Sequence, residues 1–380
     1  MYPDLFTIPG IGLTIPSFGA MVLVGFLAAT FTAFHRARKL RADPDIILNL
    51  GFLILIFSTI GARAFYVIHY WDQYASNPRD ILNLRAGGFE FYGGFLGAFA
   101  ACYLYIWLKG LSRRLYADIL APSLLLAMGI GRIGCLLFGC CWGGPCPADL
   151  PWAVRFPYSS PVQLQSWERR ETTLPARLIL VDSAGRGSPI PRKLLALSLD
   201  DLKKASERAE EAVAKARASG RPDRVAAAEA RRDALMDGLR PLLFHYAAFN
   251  TSPSELAELV REPRFRSHPV HPAQLYAAIG PILLSLLTTA WLHRRRRHGT
   301  VFVLGFMLYA VERFIEEAIR VDNPQDTFGL TVSQGISIGL FVCLGICGLI
   351  LLKMPLRSSR KAVASRKEAP PAPAALSQPS

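Results

Sequence analysis

Charged residues are scarce in this chain, at 19% of 380 residues, whereas hydrophobic residues make up 51%. A soluble domain of this size needs more polar surface than that, so the composition excludes an ordinary soluble protein. The sequence also lacks an internal repeat and a Cys-x-x-Cys pair. We expect no cleavable signal peptide, because Asp4 and several prolines or glycines occupy the place of a basic leader.

Acidic residues are outnumbered by basic ones, 29 to 43, which gives a formal net charge of +14. A nucleic-acid-binding surface is one interpretation of such a charge. The basic residues, however, stand at the ends of apolar segments and not on one face of a domain. We therefore expect no nucleic-acid partner and interpret the charge as an orientation signal of a membrane protein.

Apolar residues come in blocks, and a membrane-spanning helix needs about 20 of them. The candidate segments are residues 17–34, 46–66, 88–108, 117–139, 273–292, 300–320 and 333–352. Basic clusters follow the first, third, fifth and seventh segments, and the positive-inside rule makes that side cytoplasmic. We predict an all-α integral membrane protein, a bundle of about seven transmembrane helices, with its N-terminus outside and its C-terminus in the cytoplasm.

The segments divide the chain into four predicted regions. Membrane helices 1–4 lie in residues 1–140, a long extracytoplasmic insertion between helices 4 and 5 in 141–271, membrane helices 5–7 in 272–353, and a disordered cytoplasmic tail in 354–380. Within the insertion, residues 192–240 are rich in Ala, Arg, Glu and Lys and are interrupted near Gly220. This pattern predicts a charged helical hairpin.

Arg132 stands in the fourth apolar segment, among glycines at 129, 131, 134 and 139. An arginine at membrane depth costs roughly 2.5–3.5 kcal/mol on insertion scales, so it usually faces a bundle interior and meets an anion or a carboxylate. The glycines let a backbone or a bulky ligand come close. The pattern favours a phosphate site in the membrane.

The sixth segment carries Arg313, Glu317 and Arg320 on one helical stripe, with Glu312 and Glu316 beside it. An intrahelical ion pair between Arg313 and Glu317 is the structural interpretation. The functional interpretation is an anion site completed by Arg132, because two guanidinium groups can clamp one phosphate. Glu317 would then orient an arginine or act as a base.

The third and fifth segments begin with polar groups. The candidate residues are Tyr92, Gly93 and Gly94 in the third segment and His271, Gln274 and Tyr276 in the fifth. Tyrosine is also an ordinary interfacial anchor, and a histidine here can simply cap a helix or lie among headgroups. Both interpretations stay open for these residues.

Four cysteines, at 135, 140, 141 and 146, follow a Cys-x4-Cys-Cys-x4-Cys spacing that matches no zinc finger or ribbon. We expect no metal site and no cofactor. A disulfide between Cys141 and Cys146 is open, because both fall near the predicted outer face.

These motifs together resemble the bacterial prolipoprotein diacylglyceryl transferases, integral enzymes of the inner membrane with seven helices. The resemblance rests on Gly-Arg-Ile-Gly at 131–134 with Trp142-Gly143, on 91–97, on 271–276 and on 309–320. It covers the chain outside the 158–266 insertion and the tail.

The resemblance implies transfer of the diacylglyceryl group of phosphatidylglycerol to the lipobox cysteine thiol of a prolipoprotein, with release of glycerol phosphate. The implied catalytic residues are Tyr92, Arg132, Arg313 and Glu317. The implied substrate-binding residues are Arg132, Gly134, Gly143, Gly93, Gly94, His271, Gln274, Tyr276 and Arg320. The lipid bilayer is the remaining partner.

The chain departs from the family's best-known members at several positions. They have histidine at Tyr92, asparagine at Cys135 and Phe138, glutamate at Cys140 and tyrosine at Phe18. These departures leave two alternatives open: a divergent enzyme of the same scaffold that passes an anionic phospholipid group to another acceptor, and a non-catalytic lipid-binding assembly protein.

Overall fold

The computed structural model describes residues 4–8, 13–75, 78–83, 88–181, 185–195, 199–218, 220–249, 252–321 and 329–356, and the chain is mostly helical there. The predicted tail lies largely outside the described residues. The helices are α1 (Ser17–Lys39), α2 (Pro44–His69), α3 (Trp71–Tyr74), α4 (Phe91–Leu108), α5 (Arg113–Phe138), α6 (Pro161–Glu168), α7 (Arg192–Leu195), α8 (Leu199–Ala218), α9 (Pro222–Phe249), α10 (Pro253–Leu259), α11 (Ala273–Arg294), α12 (Thr300–Ile319) and α13 (Val332–Lys353).

Two short antiparallel hairpins of strands complete the described structure. The first pairs β1 (Asp4–Ile8) with β2 (Leu13–Pro16), and the second pairs β3 (Ile179–Val181) with β4 (Gly187–Pro189). Both sheets have only two strands, so the helices carry most of the fold.

Within the described part of the chain, five helices are each long and apolar enough to cross a membrane: α1, α2, α5, α11 and α13. A shorter apolar helix covers Tyr92–Leu108 within α4. Helix α12 coincides with the sixth predicted segment and carries four charged side chains, at positions 312, 313, 316 and 317. The chain is therefore a multi-pass membrane protein built from helices.

The chain divides into two compact units, of which the larger holds Phe18–Gly134, Leu275–Ala318 and Asn323–Ser380. Helices α2 and α4 cross at glycines in this unit. A Cβ on Gly93 would overlap the carbonyl oxygen of Gly61, and one on Gly97 would lie 3.2 Å from the Cα of Gly61. Small residues thus let the two backbones approach, as is common between membrane helices.

Asp118 on α5 fixes the start of α12 in the same unit. Its carboxylate is fully buried and accepts hydrogen bonds from the amides of Gly299, Val301 and Phe302 at 2.7–3.0 Å. It also forms an ion pair with Nε of Arg295 at 2.8 Å. The orphan amides of a helix N-terminus are satisfied in this way.

The smaller unit holds Met1–Ser17, Cys135–Gln274 and Ile319–Asp322. One of its hydrophobic clusters includes Tyr158, Leu178, Ile190 and Leu242. The Tyr158 hydroxyl donates to the carbonyl of Ile190 at 2.9 Å, and burial raises the pKa of this phenol. This cluster gives the insertion a core of its own.

Helices α8 and α9 form a hairpin, and α9 extends to Phe249, beyond residue 240. Gly220, with a φ of 65°, lies at the turn between them. The hairpin is joined across its two helices by an ion pair between Arg217 and Glu229 at 2.6 Å. The Arg217 side chain is exposed and the Glu229 side chain is half-buried, so this surface pair contributes little stability.

Candidate active site

Helix α12 carries a buried cluster of one guanidinium and two carboxylates in its last two turns. Nη1 of Arg313 lies 2.6 Å from Oε2 of Glu317 and 3.4 Å from Oε1 of Glu316. The spacings of three and four residues put these groups on one face of the helix. The side chains are 14%, 0% and 7% exposed for Arg313, Glu317 and Glu316, so the charges are held away from solvent.

The N-terminus of α13 completes the surroundings of this cluster. The Thr331 hydroxyl donates to Oε1 of Glu317 at 3.2 Å, and Nη2 of Arg313 donates to the Ser333 hydroxyl at 3.1 Å. Thr331 also caps α13 through a capping box with Gln334. Oε1 of Glu317 thus accepts a hydrogen bond from Thr331, and its Oε2 forms the ion pair with Arg313.

Arg132 approaches the same cluster from α5. Its Nη2 lies 3.8 Å from Oε1 of Glu316, and its side chain is 20% exposed. The ion pair is longer than a hydrogen bond. Glu316 thus stands between Arg132 and Arg313, which are two candidate phosphate ligands brought from different helices.

Glu312 adds a third carboxylate, one turn earlier on α12. A Cβ on Gly280 of α11 would overlap Oε1 of Glu312, so the absence of a side chain at 280 makes room for this carboxylate. Its Oε2 is buried and has no hydrogen-bond partner among the described residues. The cluster can therefore accept further donors.

Three remote stretches of the smaller unit meet at Gly143. The Gly143 amide donates to the carbonyl of His271 at 2.9 Å, and Gly143 forms a β-bridge with Arg320. A Cβ on Gly143 would lie 2.8 Å from the Cβ of His271, so the position requires glycine. The structure thus brings three of the predicted site residues together.

Gln274 is a further predicted residue with a defined environment in the smaller unit. It is fully buried, and its Nε2 donates to the carbonyl of Cys140 at 2.7 Å. Its Oε1 is buried without a hydrogen-bond partner among the described residues. One end of the amide is therefore anchored while the other can accept a hydrogen bond.

Several predicted site residues have packing roles in the structure. Gly93 and Gly94 are buried against α2, where a Cβ on Gly94 would lie 3.1 Å from the carbonyl oxygen of Ser58. A Cβ on Gly134 would lie 3.0 Å from the Cβ of Met21 in α1. That these glycines also contact lipid stays a prediction.

Two predicted aromatic residues lie on other elements of the larger unit. Tyr92 is the second residue of α4 and is 55% exposed. Tyr276 is half-buried in the first turn of α11. The roles assigned to both tyrosines stay predictions.

The sequence predicted no role for Glu316, Thr331 or Ser333. Glu316 follows Arg313 by three residues, and this spacing could have indicated a contact between their side chains. Nothing in the sequence indicates that the cap of α13 meets the carboxylate of Glu317, because that contact depends on how two helices pack.

An apolar groove of about 1410 Å³ lies in the larger unit. Its lining includes Phe95, Phe99, Phe302, Leu344 and Leu351, and it also includes Arg113 and Arg114. A lining of this kind suits a hydrocarbon chain with an anionic end group.

These features define a multi-pass helical membrane protein that holds arginines and carboxylates in a buried cluster. The model of the family described as prolipoprotein diacylglyceryl transferase matches residues 3–351. The chain belongs to this family of transferases, in agreement with the resemblance drawn from its motifs.

Three curated relatives, each named phosphatidylglycerol–prolipoprotein diacylglyceryl transferase, illustrate the similarity. The Clostridium tetani protein is 36% identical over 156 residues, which are 41% of this chain and 61% of the relative. The Rhodopirellula baltica protein is 27% identical over 355 residues, 86% of this chain and 70% of the relative. The Chloroflexus aggregans protein is 33% identical over 150 residues, 40% of this chain and 48% of the relative.

Proposed function

We propose that this protein transfers the diacylglyceryl group of phosphatidylglycerol to the lipobox cysteine of a prolipoprotein in the bacterial inner membrane. The cysteine thiol releases its proton to solvent as its sulfur bonds to the terminal carbon of the diacylglyceryl group, and the bond between that carbon and the phosphate oxygen breaks. The products are a thioether and glycerol phosphate. The observation that carries this proposal is the buried Arg132–Glu316–Arg313 arrangement in a chain of this family.

The arginines bind the phosphate of the lipid and stabilise its charge as it leaves. Arg132 is the primary ligand, because its ion pair with Glu316 is long and a phosphate oxygen can replace that carboxylate. Arg313 is held by Glu317 and Ser333, so its guanidinium is oriented before the lipid arrives. This division of labour makes Glu317 a positioning residue.

The remaining predicted residues serve the acceptor and the lipid tails. Tyr92 offers its hydroxyl as a hydrogen-bond partner of the acceptor thiol. Gln274 offers its buried Oε1 to a hydrogen-bond donor of the substrate. Gly143 lets the backbone segments at His271 and Arg320 approach the segment at 143. The apolar groove has room for an acyl chain.

The protein crosses the membrane about seven times, with α4 and α12 added to the five long apolar helices. The N-terminus and the insertion at 141–271 lie outside, and the C-terminus lies in the cytoplasm. The insertion contacts the prolipoprotein or another extracytoplasmic partner. The alternating basic clusters of the sequence support this orientation.

The test is a transfer assay in vesicles that contain phosphatidylglycerol labelled in both its diacylglycerol and its headgroup. A synthetic lipobox peptide is the acceptor, and mass spectrometry reads the products. We expect a diacylglyceryl mass gain on the peptide cysteine together with released glycerol phosphate. A folded, lipid-binding protein that gives no peptide product would contradict the proposal.

Arg132 variants test the phosphate site in the same assay. We expect Arg132→Ala to lower kcat/KM by about 10²–10³, because a preorganised donor to the leaving group is lost. Arg132→Lys should recover little, since the planar fork is lost. Arg38→Ala, at an exposed position near the end of α1 and outside the insertion, is the matched control and should keep normal activity.

A different acceptor is the second candidate function, motivated by cysteines at 135 and 140 where the family's best-known members carry asparagine and glutamate. In that case the doubly labelled lipid is consumed and glycerol phosphate appears, but the lipobox peptide gains no mass. The same assay therefore separates the two functions.

A further inference from the structure

Three cysteine thiols converge at the C-terminal end of α5. The Sγ atoms of Cys135, Cys140 and Cys141 all lie within 4.8 Å of one another. Cys135 is buried, and the other two are half-buried. All seven cysteines of the chain lie in its described part and are thiols there, including Cys141 and Cys146, for which the sequence left a disulfide open.

The end of the helix explains why these thiols meet despite their unusual spacing. The amides of Gly139 and Cys140 both donate to the carbonyl of Cys135, at 2.8 and 3.1 Å. Gly139 and Cys141 have positive φ values of 86° and 60°, so the chain folds back over its own last turn. This reversal brings the thiols of Cys140 and Cys141 next to the thiol of Cys135.

Contacts from elsewhere in the smaller unit hold this backbone in place. The buried amide of Gln274 donates to the carbonyl of Cys140 at 2.7 Å. The Gly143 amide donates to His271, and the next amide, of Gly144, donates to Ile319 at 3.0 Å. Trp142, which lies in the sequence between Cys141 and Gly143, is buried. The three sulfurs are therefore carried by a rigid frame and not by a loose loop.

The position of the three thiols at the end of a helix favours a cation. The sulfurs lie at the C-terminus of α5, where the carbonyl ends of the backbone carry partial negative charge. A bound metal cation is attracted to this end of the helix and ionises the thiols that coordinate it.

We propose that Cys135, Cys140 and Cys141 form a binding site for one thiophilic d¹⁰ metal ion of the Zn²⁺ type. Zinc–sulfur bonds of about 2.3 Å in a tetrahedral site require sulfur atoms about 3.8 Å apart, which the group reaches by a small contraction. Three thiols lose three protons on binding. The three sulfurs leave a fourth coordination position for a water molecule or a further ligand.

The donor set selects this class of ion over others. Thiolates are soft ligands that prefer zinc or cuprous ions to magnesium, calcium or manganese. A disulfide uses only two of the three sulfurs and leaves the third unexplained. The proposal concerns these three residues alone and does not rest on the transferase reaction, so either can fail without the other.

The experiment uses the full-length protein, purified in detergent under reducing conditions and equilibrated with Zn²⁺. Mass spectrometry of the metal content after desalting gives the stoichiometry, and a competing chromophoric chelator gives the affinity. We expect about one Zn²⁺ per chain, with proton release on binding that a pH indicator detects in weakly buffered solution. Cd²⁺ is the second probe, because its thiolate complexes absorb in the near ultraviolet.

Single serine variants at the three positions identify the ligands. Each of Cys135→Ser, Cys140→Ser and Cys141→Ser should weaken Zn²⁺ binding by at least 10-fold and reduce the Cd²⁺ absorption. Cys146→Ser is the matched control, since it lies five residues further along the chain and should bind Zn²⁺ normally. Thermal unfolding without metal checks that each variant is folded.

Three results would overturn the proposal. The first is a folded wild-type protein that retains less than about one tenth of an equivalent of Zn²⁺. The second is equal loss of binding in Cys146→Ser and in the cluster variants. The third is peptide mapping that finds a disulfide within the cluster in protein purified without reductant.

Discussion

Buried charged groups lie at both ends of α12. The carboxylates at the two ends differ in how many hydrogen bonds and ion pairs they form. At the N-terminal end, Asp118 accepts three backbone hydrogen bonds and pairs with Arg295. At the C-terminal end, Glu316 makes only longer contacts, at 3.4 and 3.8 Å, and Oε2 of Glu312 has no hydrogen-bond partner among the described residues.

This difference separates a structural charge from a functional one. A buried carboxylate whose lone pairs are all used contributes to the fold and has nothing left for a ligand. Carboxylates with spare capacity are costly to bury, and such groups cluster at functional sites. We therefore propose that hydrogen-bond donors of a substrate bind to the carboxylates at the unsatisfied end of α12, while its phosphate binds to the arginines.

The largest effect on stability is expected at the satisfied end. Asp118→Ala leaves Arg295 and three amides without their acceptor, which should lower the free energy of unfolding by about 3–5 kcal/mol. Denaturant unfolding in detergent micelles measures this loss. Asp118→Asn keeps an acceptor and should lose less. If Asp118→Ala were as stable as the wild type, the charges at the N-terminal end of α12 would not have the structural role described above.

A smaller effect is expected where α11 meets the unsatisfied end. Gly280→Ala places a methyl group in the position of the Glu312 carboxylate, and we expect a loss of about 1–3 kcal/mol in unfolding free energy. Adding Glu312→Ala should restore most of it, because the steric conflict then disappears. Thermal or denaturant unfolding is the measurement.

Gly335→Ala is the control for that substitution. At Gly335 in α13 an added methyl group meets no described atom within 4 Å, so only the higher helix propensity of alanine acts. Its stability should equal or slightly exceed that of the wild type. Equal losses at 280 and 335 would show that Glu312 does not occupy the space beside Gly280.

The smallest effect is expected at Glu316, where a carboxylate competes with phosphate for Arg132. Glu316→Gln should tighten binding of phosphatidylglycerol about 2- to 5-fold, within the range of a weak ion pair, and leave the fold intact. Lipid titration into nanodisc-embedded protein measures the affinity. Glu229→Gln, on the hairpin, is the control. Weaker lipid binding in Glu316→Gln would show that Glu316 supports the anion site and does not compete for it.

Hydropathy predicted where the long helices outside the insertion lie. The fifth and sixth segments, predicted at 273–292 and 300–320, correspond to Ala273–Arg294 and Thr300–Ile319. Helix α1 continues to Lys39, beyond the predicted end at 34, because arginine and lysine are good helix formers outside the apolar stretch. Hydropathy detects burial in lipid, and helix ends depend on local propensity and caps.

The candidate site was predictable where its contacts are local along the chain. The pairing of Arg313 with Glu317 follows from a spacing of four residues. The contact of Arg132 with Glu316 depends on how two helices cross, which periodicity does not encode. Glycine pairs such as Gly93-Gly94 look the same in a sequence whether a helix or a lipid lies against them.

The thiol cluster is a second case in which contacts depend on the path of the folded chain and cannot be predicted from spacing. Its spacing matches no metal-binding pattern, because such patterns describe loops and hairpins and not a chain folded over a helix end. The convergence depends on positive φ values at Gly139 and Cys141, and a cysteine in that conformation is not foreseeable from residue type.

The β-bridge between Pro145 and Val270 lies at the base of the insertion. The chain enters the insertion and returns from it at adjacent points, where the amide of Cys146 also donates to the carbonyl of Pro269 at 3.0 Å and Val270 is fully buried. A segment whose two ends already meet can be lengthened, shortened or exchanged without separating the backbone pairing at its base. Engineered changes of length in the region beyond this bridge should therefore leave that pairing intact.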